Sequence, residues 1–281
     1  MDRLEAHRRF YADLITSSAG AHKNARLIHA FASTARERFV GPGPWKVFAV
    51  GAFVETPTDD PAFLYQDVVV SIAPDRHINN GQPTLHALSL AALGIKEAET
   101  ILHVGAGTGY YTAILAKLTG PSGSVVGYEI EKDLAQNAAQ NLADFPNVTI
   151  QHVSGSQAPL PECDAIYVNA GATSPLDVWL DVLRPGGRLL FPLTPADGPN
   201  GMPGAGAMLL LTRVDTNHFS ARFVCPAMFI PCVGARDEQT GAALSAAFKR
   251  GNLRDVRSLH RDNAPDDTCW CAGDGWWLST A

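Results

Sequence analysis

From residue 100 onward the chain alternates short apolar runs with helical stretches of about ten residues, and this regularity constrains its fold more than any other feature. The pattern predicts strands at 100–104, 124–130, 148–152, 164–168 and 187–192, with helices at 110–119, 131–143 and 175–183. Apolar strands separated by helices need crossover connections, so the expectation is an α/β fold with a parallel sheet covered on both faces. Ligands in such sheets bind beyond the carboxyl ends of the strands. Gly105, Glu129 and Asn169 stand at three of those ends and are expected to meet there.

The first of these ends carries the most specific local motif, Thr100-Ile-Leu-His-Val-Gly-Ala-Gly-Thr-Gly-Tyr-Tyr-Thr112. Gly105, Gly107 and Gly109 can adopt positive φ without a Cβ penalty, so the backbone turns sharply and approaches a ligand closely. The helix that follows begins with free N–H groups. A dinucleotide site needs GxGxxG, but the position of the last glycine is Tyr110, which weakens NAD and FAD. A GxGxG turn with an acid closing the next strand suits a ligand with a ribose and a zwitterionic end, such as S-adenosylmethionine (SAM). Glu129, roughly 20 residues past the turn, is placed to accept both ribose hydroxyl protons. The turn alone also fits tight strand–helix packing; the turn and the acid together carry the cofactor reading.

The 281 residues can bury a substantial core as one large domain with additions or as two small domains. With a net charge of -6 and scattered Lys and Arg, phosphate-driven binding of nucleic acid is disfavoured. Met1-Asp-Arg-Leu-Glu-Ala-His begins with charges rather than an apolar signal core, and no run is long enough to span a bilayer, so a soluble cytoplasmic protein without membrane partners is expected. Five cysteines form no paired framework and fit a reducing compartment. Cys269-Trp-Cys271 lacks the spacing of zinc or redox sites, so no metal is expected. No feature specifies an oligomeric state.

Residues 1–40 read as helical, with Leu27, Ile28, Phe31, Ala32 and Ala35 at helical spacing. Gly41-Pro-Gly-Pro44 ends that region, and the stretch to Pro61 reads as a turn-rich connector. A β-branched run, Val68-Val-Val70, precedes a helix from Pro83 to Leu93 that Gly94 ends. Pro192 to Gly206 reads as a long loop, and 208–214 with 220–225 as an antiparallel pair. A helix is expected near 240–250. The domain reading is a helical region and connector at 1–62, a cofactor-binding core at 63–235 and a carboxyl-terminal extension at 236–281.

Several ordered blocks then resemble one family. They are Phe31-Ala-Ser-Thr-Ala-Arg-Glu-Arg-Phe-Val40, Tyr65-Gln-Asp67, Gly81-Gln-Pro-Thr-Leu-His-Ala87, the glycine turn, Cys163-Asp-Ala-Ile-Tyr-Val168 and Leu183-Arg-Pro-Gly-Gly-Arg-Leu189. Between about Asn24 and Asp237 the chain resembles the protein-L-isoaspartate O-methyltransferases, a branch of the class I SAM-dependent methyltransferases. The resemblance implies a Rossmann-like, mostly parallel seven-stranded sheet with helices on both faces. It implies SAM as methyl donor and an isoaspartyl carboxylate in a protein or peptide as acceptor. It places Gly105 and Gly107 at the methionine end of SAM, Glu129 on the ribose and His86 against the cofactor. The alternative for His86 is a surface histidine on an amphipathic helix.

The chain departs from the family pattern at several places. Where the family has a serine near the methyl donor, the positions read Asn79-Asn80-Gly81. The acid two residues before the first motif glycine is His103, which removes a partner for the cofactor's ammonium group. Ser156 stands where an adenine-contacting aspartate is expected. Val47–Pro61 and the carboxyl-terminal segment have no clear counterpart.

Methyl transfer to a carboxylate needs no strong base, because the nucleophile is already ionised at neutral pH. Holding it near attack distance can supply roughly 7–11 kcal/mol. Asn80, Gln82 and Thr84 are the candidates for orienting the acceptor; turn chemistry and helix capping are the alternative for them. For a phenol or amine acceptor, His86 and His103 would be candidate bases. Three further readings stay open: a different peptide or small-molecule acceptor, a non-catalytic SAM-binding module, and a nicotinamide-dependent dehydrogenase disfavoured by the missing glycine.

Overall fold

The computed structural model describes residues 2–49, 51–157, 159–195 and 204–281. The chain divides into two compact units, one of residues 1–98 and 106–152, the other of residues 99–105 and 153–281. No helix among the described residues is long and apolar enough to cross a membrane.

The first unit opens with α1 (Arg3–Ser18) and α2 (Ala25–Ala32). Asn24 caps α2 by accepting the Leu27 N–H at 3.1 Å, which satisfies one donor that every helix start leaves open. Tyr11, Ile15, Leu27 and Phe31 are buried from these helices, and Tyr11 meets Phe31 and Tyr65 edge to face. Next comes a four-stranded sheet in the order β2-β1-β3-β4, built from β1 (Lys46–Ala49), β2 (Ala52–Glu55), β3 (Val69–Ala73) and β4 (Ile78–Asn79).

The expected turn-rich connector to Pro61 is therefore corrected, since it holds a hairpin. Val47 faces Val54 and Phe48 faces Phe53, whose rings contact edge to face at 5.3 Å. Cross-strand pairs of this kind stabilise a sheet that isolated propensity does not announce. Under the sheet Val40, Trp45, Leu64 and Val70 form a small apolar cluster.

Helix α3 (Pro83–Leu93) runs between the bounds the sequence predicts, with Pro83 in its first turn and Gly94 in the left-handed conformation at its end. After β5 (Thr100–Val104), which belongs to the second unit, follow α4 (Tyr110–Thr119), β6 (Ser124–Glu129), α5 (Lys132–Asn141) and β7 (Val148–His152). β6 and β7 pair in parallel from Val125↔Val148 to Glu129↔His152. α4 is buried nearly all round, because α2 packs on it as well as β6 and β7.

The second unit holds β5, β8 (Cys163–Val168), α6 (Asp177–Leu180), β9 (Leu183–Leu193), β10 (Gly206–Arg213) and β11 (His218–Ala227). Its carboxyl-terminal elements are α7 (Glu238–Arg250), β12 (Ser258–His260), β13 (Cys269–Gly273) and β14 (Trp276–Ser279). β8 lies parallel to both β5 and β9, while β9, β10 and β11 pair antiparallel. The second unit's strands β5 and β8 to β11 thus include parallel and antiparallel pairs, and β12, β14 and β13 add three antiparallel strands beyond β11.

The helix expected at 175–183 is limited to 177–180, because strand pairing takes the following residues: Leu183 registers with Cys163, and the Cys163 N–H donates to the Val182 carbonyl at 2.9 Å. Within the expected loop from Pro192 to Gly206, Pro192 and Leu193 end β9 and Gly206 begins β10; residues 196–203 lie outside the described residues. α7 fits the expected helix near 240–250, capped by Asp237 through the Thr240 N–H at 2.7 Å. Phe248 of α7, Phe223 of β11 and Trp270 of β13 form one aromatic cluster, which gives part of the carboxyl-terminal segment a packing role.

Candidate active site

In the first unit, the residues that follow the strand end form a turn stitched to the acid of β6. Glu129 is buried at 6% exposure; its Oε2 accepts the Gly107 N–H at 2.6 Å and its Oε1 accepts the Glu131 N–H at 3.0 Å. A carboxylate offers about four lone-pair sites, so Glu129 retains acceptor capacity for a ligand hydroxyl. Burial pushes the Glu129 carboxyl above its usual range, and the backbone N–H groups of Glu131, Gly107 and Ile130 oppose that shift.

Gly107 has φ +56, and a Cβ there would meet no atom within 4 Å, so the turn faces open space. Gly109 differs, since a Cβ on it would lie 2.7 Å from Leu142 Cδ1. It serves the approach of α4 to the end of α5. The turn is further held by the Ala106 N–H on the Tyr128 carbonyl at 3.1 Å and by Asn141 Nδ2 on the Thr108 carbonyl at 3.0 Å.

The same unit contains the loop from β4 into α3. Asn80 is buried; its Oδ1 accepts from Arg36 Nη2 at 3.1 Å and from the Val70 N–H at 3.0 Å. This fixes the amide so that Nδ2, buried and without a hydrogen-bond partner among the described residues, is its remaining polar group. Gln82 Nε2 donates to Asp67 Oδ2 at 2.9 Å and the Thr84 N–H donates to Asp67 Oδ1 at 2.7 Å. Thr84 Oγ1 is also buried without a partner among the described residues.

Gly81 has φ +69, and a Cβ on it would lie 2.1 Å from His86 Nε2. The imidazole of His86 thus fills the space that a side chain at 81 would need. It is buried and stacked on Tyr111 at 3.6 Å and 14° rather than lying on a surface.

In the second unit, His103 of β5 is fully buried and its ring stacks 5.6 Å from Tyr167. Burial pushes its pKa down to about 3, so the ring is neutral at physiological pH and cannot act as a cation. His103 Nε2 lies 2.8 Å from Asn169 Nδ2. With the amide as donor, the ring accepts at Nε2 and carries its proton on Nδ1. Asn169 Oδ1 is then a buried acceptor with no hydrogen-bond partner among the described residues. Gly105, at φ +77, brings its Cα side within van der Waals reach of Asn169. Ser156 uses its hydroxyl locally, donating to the Val233 carbonyl at 2.7 Å and pairing with Ser154 Oγ at 2.8 Å.

Of the residues that sequence reasoning singled out, the first unit brings together Gly107 with Glu129 and Gly81 with His86, and the second brings together Gly105 with Asn169. It overlooked Asp67 and Arg36 as organisers of the loop, although both stand inside the blocks that carry the resemblance. Arg36 is fully buried and donates to the carbonyls of Leu64, Gln66 and Val68 as well as to Asn80. Arg36 stands in the charged run Arg36-Glu37-Arg38, so no local signal marks it as the buried member. The cysteines are all free, and burial raises the thiol of Cys163 to about 12 and those of Cys232 and Cys271 to about 11, so these are inert thiols. Among the described residues no group of three or more His, Cys, Asp or Glu could hold a metal ion.

Residues 13–237 match the protein-L-isoaspartate(D-aspartate) O-methyltransferase family. A protein-L-isoaspartate O-methyltransferase of Brucella anthropi is 30% identical over 217 residues, covering 76% of this chain and 88% of the relative. One from Methylorubrum populi is 30% identical over 212 residues, covering 74% and 87%.

A solved protein-L-isoaspartate O-methyltransferase superposes with a TM-score of 0.64 at 20% identity, covering 85% of this chain and 69% of the other. A Plasmodium falciparum structure, solved as a candidate protein-L-isoaspartate O-methyltransferase in complex with S-adenosyl-L-homocysteine, superposes with a TM-score of 0.58 at 20% identity, covering 77% and 97%. At that identity the two structures establish the fold, which is that of the Rossmann-like methyltransferases. The chain belongs to the protein-L-isoaspartate O-methyltransferase family.

Proposed function

We propose that this protein transfers the methyl group of SAM to a carboxylate oxygen of an isoaspartyl residue or a closely related acceptor. The observation that carries the reading is the buried Glu129 carboxylate held against the N–H of Gly107 at the end of a parallel strand, in a chain of this family. The residues fit the cofactor: Glu129 keeps acceptor capacity, Gly107 faces open space, and the buried Asn169 Oδ1 has no partner among the described residues. Glu129 would hold the ribose, Gly105 and Gly107 would admit the methionine end, and Asn169 would accept from its ammonium group. The further candidates for cofactor contact are Gly81, His86 and Gly109 in the first unit and His103 and Ser156 in the second. Residues 63–235 would form the cofactor-binding core, flanked by the helical region at 1–62 and the extension at 236–281.

Bound there, SAM would supply a methyl group on a sulfonium: an ionised carboxylate oxygen of the acceptor would attack the methyl carbon in line, the C–O bond forming as the C–S bond breaks and S-adenosylhomocysteine leaves. The protein's own residues position that oxygen and exclude water. Asn80, Gln82 and Thr84 line the loop we assign to the acceptor; Asn80 Nδ2 offers a donor to a carboxylate, and Asp67 fixes Gln82 and Thr84. No proton has to be removed from a carboxylate nucleophile, so no base is needed. The five free thiols favour a cytoplasmic setting.

The test offers an isoaspartyl peptide and its ordinary aspartyl twin with SAM labelled on the methyl group. Labelling of the isoaspartyl peptide alone is the expected result. Equal labelling of both, or of neither while a small carboxylate is methylated, would replace the acceptor assignment.

A further inference from the structure

We infer that Arg76 is a positioning residue for the acceptor loop, clamping the β3–β4 turn to the segment that carries Glu129. The inference rests on the proposed assignment of residues 79–84 to the acceptor and of Glu129 to the cofactor. Arg76 closes a single helical turn, Pro74–Arg76, just before β4. Its guanidinium forks onto Asp133, with Nη1 2.9 Å from Oδ1 and Nη2 2.6 Å from Oδ2, and Nη1 also bonds Glu131. A planar fork on a carboxylate fixes direction as well as distance, which a lysine ammonium cannot do.

Glu131 in turn donates its backbone N–H to Glu129 Oε1 at 3.0 Å, and Glu129 Oε2 accepts the Gly107 N–H. A continuous run of polar contacts within the first unit therefore leads from the glycine turn through Glu129 and Glu131 to Arg76.

The loop needs such an anchor because the sheet holds it weakly. β4 has two residues, its register with β3 shifts between Ser71 and Ala73, and His77 between Arg76 and β4 adopts a left-handed φ of 57°. At its far end the loop is tied by Asp67 to Gln82 and Thr84. Arg76 supplies the tie at the near end, three residues before Asn79. It also faces two carboxylates beside Glu129, and the Glu131 charge is one of the influences that raise the Glu129 pKa.

Ion pairs this exposed contribute little to global stability, with side chains 33% exposed for Arg76, 36% for Glu131 and 57% for Asp133. Their value here is geometric. The experiment compares wild type with Arg76→Ala and Arg76→Lys in the full chain. It measures acceptor-peptide KM and kcat, S-adenosylhomocysteine affinity by calorimetry, and hydrogen exchange of residues 74–81 with and without S-adenosylhomocysteine. The expected result for Arg76→Ala is an acceptor KM raised about tenfold, within the usual range of coupling between sites, with kcat and S-adenosylhomocysteine affinity held within about threefold.

Protection of 74–81 on S-adenosylhomocysteine binding should be present in wild type, lost in Arg76→Ala and partly kept in Arg76→Lys. Exchange in 74–81 that is identical in all three proteins overturns the inference. So does a fall in kcat and S-adenosylhomocysteine affinity with unchanged acceptor KM. A wild type that binds S-adenosylhomocysteine but methylates no isoaspartyl peptide refutes the functional reading, while the exchange data still decide the role of Arg76.

Discussion

Restoring a serine at position 81 should damage this protein rather than return it to the family pattern. Gly81 has φ +69, a conformation that costs a residue with a Cβ roughly 1–2 kcal/mol. The new Cβ would lie 2.1 Å from His86 Nε2 and 2.9 Å from Cδ2, so the imidazole must leave its stack on Tyr111. Overpacking of this kind costs roughly 1–3 kcal/mol. For Gly81→Ala, the cleaner probe, the two effects add to roughly 2–5 kcal/mol.

Only the first effect survives when the imidazole is removed, so in a His86→Ala background the same substitution should cost roughly 1–2 kcal/mol. The cycle of wild type, both single variants and the double variant, followed by urea denaturation with circular dichroism, should show a coupling of about 1–3 kcal/mol. Gly81→Ser should also lower methyl transfer. Additivity within about 0.5 kcal/mol would refute the claim that the imidazole occupies the side-chain space of residue 81.

Two further outcomes follow from buried titratable groups. Glu129→Gln should weaken S-adenosylhomocysteine binding by roughly tenfold to a hundredfold, the value of a hydrogen bond to a charged group, and calorimetry that finds equal affinity would remove Glu129 from the ribose. In wild type that affinity should fall with acidification through a midpoint above the usual carboxylate value of about 4.3, because burial raises the Glu129 pKa and the ionised form is the better acceptor. The fold responds with the opposite sign: the native state holds the Glu129 proton more tightly than the unfolded chain, so this group's contribution to stability declines as pH rises across the same window. His103, with its pKa pushed down to about 3, must stay neutral in the fold, so stability should fall as pH drops from about 6.5 towards 3, by about 2 kcal/mol at pH 5. His103→Gln should flatten that slope; an unchanged acid limb in urea titrations at several pH values would place the titration elsewhere.

The parts of the fold legible from sequence are those whose signals are local. Pro83 and Gly94 bracket α3 because one fits a helix start and the other a left-handed end, and neither depends on distant residues. The strand–turn–helix at 100–119 was legible for the same reason. The hairpin at 46–55 was hidden between Pro/Gly-rich stretches, and its strands are held by a pairing with Val70 that no local pattern reveals. The end of α6 was misplaced because Val182 and Leu183 are recruited by Cys163, about twenty positions earlier, in a parallel pairing that overrides helix periodicity. The carboxyl-terminal strands had a readable sign that went unused: Asp274-Gly275 between aromatic and apolar runs is a hairpin turn, and Gly275 takes φ +74.

The candidate site shows a different limit, one of pairing rather than periodicity. Each departure from the family pattern looked in sequence like a lost group, and in the structure each is matched by a second residue. The side chain absent at 81 is replaced in space by His86 Nε2. The acid absent at 103 becomes a neutral ring that accepts the amide of Asn169, sixty-six positions away, and this orients Asn169 Oδ1 as the acceptor that remains. The serine at 156 gives its hydroxyl to the Val233 carbonyl, seventy-seven positions away, beside Gly234, where a Cβ would lie 2.7 Å from Ser156 Oγ. A buried polar group costs energy unless it finds a partner, so a change at one of these positions constrains another residue wherever the chain brings it. A single sequence displays the first member of each pair and carries no mark of the second. The departures should therefore be tested as pairs, since reverting one member alone leaves its partner with a clash or an unmade hydrogen bond.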